Sequence, residues 1–236
     1  MSQPSLKISC ILTSYNRPRM IRHALKSVAD QSYKNYELLI FDDSTAFDIM
    51  EVVKEFKFPS LQVHHTKLSA EERRAKGRLG VNCNHGLYLA QGDLVCFLCD
   101  DDYYYPDWFH HAAAFLGHPN NKDKNVVFGA LSYSKSEEMI YPIHGFGIWI
   151  DRPVHEPGNV LDHNQVVHRR FPTPFKWPED FRSSVAPDAN YFTQLARAGN
   201  IFYPTPAYAV VKRQHSKNLQ NTLEEIGTEK GESLRE

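Results

Sequence analysis

The sequence lacks the features that mark membrane, secreted and nucleic-acid-binding proteins. No uninterrupted apolar run among its 236 residues approaches the roughly 20 residues needed to cross a bilayer. Residues 1–7 lack the apolar core of a signal peptide. Lys and Arg number 27 against 28 Asp and Glu, so no net positive field attracts a nucleic-acid backbone. We therefore expect a soluble, cytoplasmic protein with no membrane span and no nucleic-acid partner.

Cysteine is scarce, and its placement favours no metal or redox site. The four cysteines are Cys10, Cys83, Cys96 and Cys99, and three of them fall inside apolar patterns, where a reduced thiol packs as a small hydrophobic group. Cys96 and Cys99 have C-x-x-C spacing, but no second pair follows. Zinc binding and thiol redox chemistry are therefore the less favoured interpretations of this pair.

The chain also lacks a glycine-rich loop after its first predicted strand. The residues at that point are Ser14-Tyr15-Asn16-Arg17-Pro18. The absence of G-x-G-x-x-G argues against a dinucleotide-dependent oxidoreductase. A nucleotidylyltransferase would need glycines there so that a triphosphate could approach the backbone, so this alternative is also disfavoured.

The first half of the chain alternates between strand and helix patterns. Apolar runs at 7–13, 36–41, 61–65 and 94–99 predict strands, and helical spacing of apolar residues predicts helices at 19–29, 49–56 and 70–90. This alternation is typical of a mostly parallel, doubly wound α/β sheet with helices on both faces. The length suits one domain over residues 1–236.

The second half is less regular. A helix is predicted at 106–116, an apolar run covers 126–131, and a last helix begins at Pro187 and ends before Gly199. Residues 141–178 have no sustained period, and we expect them to form an irregular lobe over the carboxyl edge of the sheet. The charged end of the chain, 222–236, is expected to fray.

The most informative pattern is a strand-length apolar run that ends in three carboxylates, Asp100, Asp101 and Asp102. Each charge raises the cost of ionising the next, so a cation is expected nearby. In an extended segment Asp100 and Asp102 would point the same way, in the outline of an Asp-x-Asp metal site. The alternative is a solvated acidic turn. The aromatic run Tyr103–Tyr105 beside the triplet favours the site.

Motifs in a fixed order carry a resemblance to a known family. They are Thr13–Arg17, Gln31–Leu38, Asp42–Ser44, Arg73, Arg78, Asn84, Gly92-Asp93, Asp100–Asp102 and Pro106-Asp107, followed more weakly by Leu161–His163, His168-Arg169 and Asp188. With them the chain resembles the inverting glycosyltransferases of family 2, which have the GT-A fold. Within the family the resemblance is strongest to enzymes of bacterial spore-coat polysaccharide synthesis.

The resemblance implies a donor half at 1–105 and an acceptor half at 106–236 with a mobile C-terminal tail. The expected donor is a nucleotide diphosphate sugar linked to UDP or dTDP. The residues implied in nucleotide binding are Thr13, Tyr15, Arg17, Asp43, Arg73, Arg78, Asp100 and Asp101, with the Tyr15 ring on the base and Asp43 accepting from its imide. Asp102 and Asp101 are the implied ligands of Mn²⁺ or Mg²⁺.

The implied chemistry is a metal-assisted, inverting transfer of the sugar to a hydroxyl of a glycan or other acceptor. Asp188 is the expected general base; from the residues alone, a favourable helix-start position explains it equally well. Asp162 and His163 are assigned to the donor or acceptor sugar, with a capping role as the alternative. A sugar-nucleotide or glycan binding protein without catalysis remains the competing function.

Overall fold

The computed structural model of the protein describes residues 6–66, 68–69, 72, 77–136, 138–139, 141, 147–173, 175–180 and 186–214. Within these ranges nine strands form one sheet in the order β3-β2-β1-β4-β8-β6-β9-β5, with β7 paired to β6. The strands are β1 Ile8–Ser14, β2 Tyr36–Asp42, β3 Leu61–His65, β4 Leu94–Cys99, β5 Tyr103–Tyr104, β6 Val126–Ser134, β7 Gly147–Ile148, β8 Val166–Arg169 and β9 Phe202–Arg213.

Five α-helices surround the sheet in the described part of the chain. They are α1 Pro18–Ala29, α2 Ile49–Val53, α3 Arg78–Leu89, α4 Trp108–Gly117 and α5 Pro187–Arg197, and short 3₁₀ turns lie at Pro119–Asn121 and His163–Gln165. None of the helices described is both long and apolar enough to cross a membrane. Gly199 follows α5 with φ of +86°, which confirms the predicted helix stop, because this left-handed conformation favours glycine.

Both faces of the central strands are buried, as the strand period requires. Alternate residues of β1 enter different cores: Cys10 and Leu12 pack with α1 and α4, whereas Ile11 packs with α3 and α5. The close contact with α3 depends on Gly86, since a Cβ there would lie 2.5 Å from Ile11 Cγ2. The parallel, two-sided sheet predicted for the first half is confirmed.

The second half adds strands that the sequence patterns did not predict. β8 joins β4 and β6 through antiparallel pairing, and β5 pairs antiparallel with β9. β9 was missed because Pro204 and Pro206 argue against a strand in the sequence. In the structure its register against β6 shifts between Phe128 and Ala130, where these prolines lie, so the irregular ladder accommodates them.

Helix bounds differ from those predicted mainly at the ends. α2 stops at Val53 rather than at residue 56, and α4 begins at Trp108 rather than at Pro106. The predicted helix at 70–90 is observed as α3, which starts at Arg78; most of 70–76 lies outside the described residues. The predicted fraying at 222–236 also falls outside them.

The carboxyl ends of β1, β2 and β4 lie level at one edge of the sheet. Ser14 pairs with Asp42, and Thr13 pairs with Cys99. The last residue of β9, Arg213, reaches the same edge, because its backbone N–H donates to Asp102. Ligands of open α/β sheets bind at this edge, so the site is built there.

Candidate functional site

Asp43, just beyond β2, is held by two side chains of α3. Arg78 donates from Nε and a terminal nitrogen to its two carboxylate oxygens, over 2.9 and 2.8 Å. Asn82, one turn later, donates to the same carboxylate over 3.1 Å. Asp43 is buried and the Arg78 side chain is only 12% exposed, and paired Arg–carboxylate bonds are strong and directional. Arg78 therefore acts on Asp43 in this structure and is not a solvated surface charge.

The acidic triplet forms a turn and does not continue the strand. The Asp102 N–H donates to the Cys99 carbonyl over 3.2 Å. The expectation that Asp100 and Asp102 point the same way along an extended chain was therefore wrong. Asp100 accepts from the Tyr15 backbone N–H (2.8 Å) and from Arg17 (2.7 Å).

The other two members of the triplet have different surroundings. Asp102 is buried and accepts from the Arg213 backbone N–H and from Asn164 Nδ2, both over 2.9 Å. The Asp101 carboxylate lies 3.3 Å from Arg17 and is 16% exposed, compared with 2% for Asp100. Asp101 is thus the member of the triplet most open to solvent.

Burial and mutual repulsion shift the titration of the triplet. Burial, and then the charge of Asp101, raise the pKa of Asp100 to about 6 in spite of Arg17. Burial and Asp101 also raise the pKa of Asp102 well above its usual value. Both shifts show that the three charges are costly to keep together, so a further cation at this edge would be stabilising.

Thr13 lies near the end of β1, and Tyr15 directly follows the strand. The Thr13 hydroxyl is 4.0 Å from Cys99 Sγ, and the loop after β1 is tied to the loop after β2 by Asn16. The Asn16 side-chain oxygen accepts from the backbone N–H groups of residues 45 and 46, over 2.8 and 2.9 Å, and its own φ is +50°. Arg73 lies outside the described residues.

A second cluster contains Asp162, His163 and Asp188. His163 Nδ1 lies 3.4 Å from Asp188 Oδ2 and 3.9 Å from Asp162 Oδ1. One ligand atom from each residue falls within 4.8 Å of the others, so the cluster could hold a metal ion. Lys212, from β9, already forms an ion pair with Asp162.

The charges in this second cluster stabilise one another. Burial opposes the ionisation of Asp162, but His163 and Lys212 outweigh it and lower the pKa of Asp162 to about 2. Burial likewise opposes protonation of His163, whereas the Cys99 sulfur, Asp188 and Asp162 raise its pKa well above the usual value. The cluster is therefore electrostatically balanced without an added ion.

Hydrogen bonds connect the second cluster to the triplet. Asn164 donates from Nδ2 to Asp102 over 2.9 Å and to Asp162 over 2.7 Å. His163 Nε2 lies 3.1 Å from Cys99 Sγ, directly before the triplet. Asp188 and the carboxyl ends of β1 and β4 therefore belong to one continuous polar network.

The sequence reasoning missed four members of this network: Cys99, Asn164, Lys212 and Arg213. Asn164 directly follows the motif residues Asp162 and His163, and this adjacency is the sequence signal that could have identified it as part of the site. Lys212 and Arg213 stand in a basic, polar stretch of the sequence, and because β9 was not predicted, their position at the site could not be inferred. Other motif residues are structural: Asn84 exchanges two hydrogen bonds with the Trp177 backbone, over 3.0 and 2.8 Å.

Comparison with known proteins identifies the family. The model of glycosyl transferase family 2 matches residues 9–219. The chain belongs to this family. A curated relative, Protein CgeD of Bacillus subtilis, is 27% identical over 165 residues, which cover 70% of this chain and 38% of CgeD. The chain thus spans well under two thirds of that relative.

Solved structures support the fold. S. aureus TarS 1-349 in complex with UDP-GlcNAc aligns with a TM-score of 0.66 at 18% identity, over 90% of this chain and 60% of TarS 1-349. The mannosyltransferase PcManGT from Pyrobaculum calidifontis, in complex with GDP-Man and Mn²⁺, aligns with a TM-score of 0.60 at 14% identity, over 92% and 59%. At these identities the likeness establishes the GT-A fold.

Proposed function

We propose that the protein transfers a sugar from a nucleotide diphosphate sugar to an acceptor hydroxyl, with inversion at the anomeric carbon. The observation that carries this proposal is the polar network that joins the carboxyl ends of β1 and β4 to Asp188. A donor held at the strand ends then lies next to a carboxylate on a separate element. Membership of glycosyl transferase family 2 supports the same reaction class.

The proposed donor carries uridine or thymidine diphosphate. Thr13 and Tyr15 would contact the nucleoside, and Asp43 would accept from the base imide; the resemblance implies that Arg73 supplies a further donor and a positive charge. Arg78 and Asn82 keep the Asp43 carboxylate in one orientation. TarS binds UDP-GlcNAc, which favours uridine, whereas PcManGT binds GDP-Man. In this proposal residues 1–105 form the donor half, and residues 106–236 form the acceptor half.

The chemistry of the triplet fits Mn²⁺ or Mg²⁺. Carboxylate oxygen is a preferred ligand of both ions, and one or two protein carboxylates plus the diphosphate complete such sites. Asp101 is the most exposed of the three, and Asp102 is adjacent to it. When bound, the ion neutralises charge on the diphosphate leaving group. The structure of PcManGT is a complex with GDP-Man and Mn²⁺, which supports this assignment.

The proposed base is Asp188. Its carboxylate is 21% exposed at the first turn of α5, so an acceptor hydroxyl can reach it. General-base removal of the hydroxyl proton assists attack on the anomeric carbon from the side opposite the diphosphate. A single displacement of this kind inverts the configuration. Asp162, which is paired with Lys212 through one oxygen, would orient a hydroxyl of the donor or acceptor sugar.

We infer that the acceptor is a glycan or another hydroxyl compound of polysaccharide synthesis, at a cytoplasmic site. The resemblance to spore-coat polysaccharide enzymes is a guide to acceptors worth testing.

A panel of UDP-, dTDP- and GDP-linked sugars, each with Mn²⁺ and with Mg²⁺, tests the proposal. We expect nucleotide release from a UDP- or dTDP-sugar, and product NMR should show the anomeric configuration opposite to that of the donor. Calorimetry should rank UDP or dTDP above GDP. Retained configuration would overturn the single displacement, and preference for GDP would overturn the role of Asp43. Tight binding of a UDP-sugar without any turnover would favour the binding-protein alternative.

A further inference from the structure

We infer that His163 is a positioning residue: its Nδ1–H orients the Asp188 carboxylate for proton abstraction, while Cys99 Sγ holds the opposite nitrogen of the ring. The inference rests on the proposed role of Asp188 as base. The resemblance implies that His163 binds a sugar, and the inference assigns it a different task. It also gives Cys99 a role in the site.

Both nitrogens of the His163 ring are engaged. Nδ1 lies 3.4 Å from Asp188 Oδ2, and Nε2 lies 3.1 Å from Cys99 Sγ. The ring is buried, and it meets the Trp177 ring edge-on at a centroid distance of 5.4 Å. A sugar hydroxyl would have to displace one of these partners, so direct sugar binding by His163 fits the structure poorly.

The backbone beneath His163 is also fixed. His163 is the first residue of a 3₁₀ turn whose N-terminal end is closed by a capping box. The Asp162 side chain accepts from the Asn164 N–H, and Gln165 Oε1 accepts from the Asp162 N–H. Gln165 Nε2 then donates to the carbonyl of residue 129 in β6, over 2.9 Å. A ring on such a turn has a defined orientation, as a positioning residue requires.

The direction of the hydrogen bonds follows from the donor inventory. An ionised carboxylate only accepts, so Nδ1 must carry the proton that faces Asp188. In the neutral ring Nε2 then accepts from the Cys99 thiol, and in the charged ring Nε2–H donates to the sulfur. In either charge state His163 presents the same donor to Asp188.

The two oxygens of Asp188 are each held by one donor. Oδ1 accepts from the Ala189 backbone N–H over 2.9 Å, and Oδ2 faces His163. Rotation of the carboxylate is thereby restricted, while lone pairs remain for the acceptor hydroxyl. A base held in this way loses less orientational freedom when it reacts.

Two substitutions of His163 separate its two contacts. His163→Asn keeps an amide nitrogen near the place of Nδ1, and His163→Gln keeps one near the place of Nε2. With the donor that turns over fastest in the panel, UDP-GlcNAc being the first probe, we expect His163→Gln to lower kcat about 10–100-fold with donor KM nearly unchanged. His163→Asn should retain most of the activity.

A double-mutant cycle with Asp188→Asn provides the decisive measurement. If His163 acts through Asp188, the double variant with His163→Gln should be no slower than Asp188→Asn alone. Independent, multiplying losses would overturn the inference. A raised KM for donor or acceptor at constant kcat would return His163 to sugar binding, and equal losses in the Asn and Gln variants would also overturn it.

The failures of the two proposals are distinguishable. Normal turnover by Asp188→Asn would overturn the base assignment itself, whereas slow Asp188→Asn with normal His163→Gln would overturn only the positioning role. If His163→Gln does not fold, as judged by circular dichroism and UDP binding, the kcat values of two Cys99 variants test the inference instead. Cys99→Ser keeps a donor to Nε2 and should stay near wild type, and Cys99→Ala should lose kcat; equal activity in the two would count against the inference.

Discussion

The two halves of the site hold their carboxylates with different cations. In the proposed donor half Asp43 is bound by Arg78, and Asp100 by Arg17. In the proposed acceptor half Asp188 faces His163, and Asp162 is paired with Lys212.

The difference concerns rigidity. Arginine keeps its charge at every working pH and offers a planar fork, and Arg78 uses that fork to bind both oxygens of Asp43, which fixes the direction of the carboxylate. Histidine and lysine make single contacts, and Asp188 is 21% exposed whereas Asp43 is 2% exposed. We infer that the donor half is built to hold a ligand in place and that the acceptor half is built to exchange protons.

The largest effect should come from removing the base in the acceptor half. Asp188→Asn keeps the shape but cannot take a proton, so kcat should fall about 10²–10⁴-fold. Donor affinity should stay near wild type, because the donor contacts lie at the strand ends. Single-turnover kinetics and calorimetry with UDP measure the two quantities separately. Asp151→Asn, an exposed carboxylate of the same half, is the control and should turn over normally.

The donor half should be more sensitive in stability. Arg78→Ala leaves the buried Asp43 carboxylate without its main partner and should destabilise the protein by about 3–5 kcal/mol in urea unfolding. Arg22, whose pair with Glu55 is exposed on both sides, is the matched control. Arg22→Ala should cost about 0–1 kcal/mol. Similar losses in the two variants would contradict the structural role given to the Asp43–Arg78 pair.

The sequence predicted the first half of the fold well because its strands are buried on both faces. Runs such as Leu94–Cys99 are apolar throughout, so they stand out, and their helices repeat at the expected period. The second half could not be predicted in the same way. β9 contains two prolines and β8 has only four residues, so neither has a clear strand pattern in the sequence. Both strands form through pairing with strands that are distant in the sequence.

The candidate site was predictable where motif residues follow strands in order. The triplet and Asp43 are examples. What the sequence could not provide is which groups touch: Asp102 is held by Asn164 and Arg213, residues 62 and 111 positions away. His163 was selected from the motif, but its contact with Cys99 depends on how β4 and the 3₁₀ turn pack together.

Acid should destabilise the acceptor half through His168. Burial lowers the pKa of His168 from 6.5 to about 4, and its Nε2 lies 3.0 Å from the Tyr191 hydroxyl. Protonation therefore favours the unfolded chain: the contribution to stability is complete above pH 6.5 and is lost as the pH falls toward 4, by about 3 kcal/mol in total.

Urea unfolding at pH 7, 5.5 and 4 measures this loss. His168→Gln, which does not titrate, should flatten the dependence on pH even if it lowers stability at pH 7. The exposed His110→Gln should leave the slope unchanged. An equal slope in wild type and His168→Gln would show that other groups control acid unfolding.

The smallest expected effect is the gain in stability when the donor half binds UDP and a divalent ion. If a divalent ion joins the triplet to the diphosphate, UDP at about 100 times its dissociation constant should stabilise the protein by roughly 2.7 kcal/mol with Mn²⁺. EDTA should remove most of this gain. Asp101→Ala should remove the part of the stabilisation that depends on the metal, while binding of uridine, which has no phosphates, should be unaffected.

Because Asp188 lies outside the proposed donor contacts, Asp188→Asn should keep the full stabilisation by UDP and Mn²⁺, so the same titration separates the two halves. Equal stabilisation with and without EDTA would contradict the proposed metal, and loss of the gain in Asp188→Asn would contradict the division into a holding half and a reacting half.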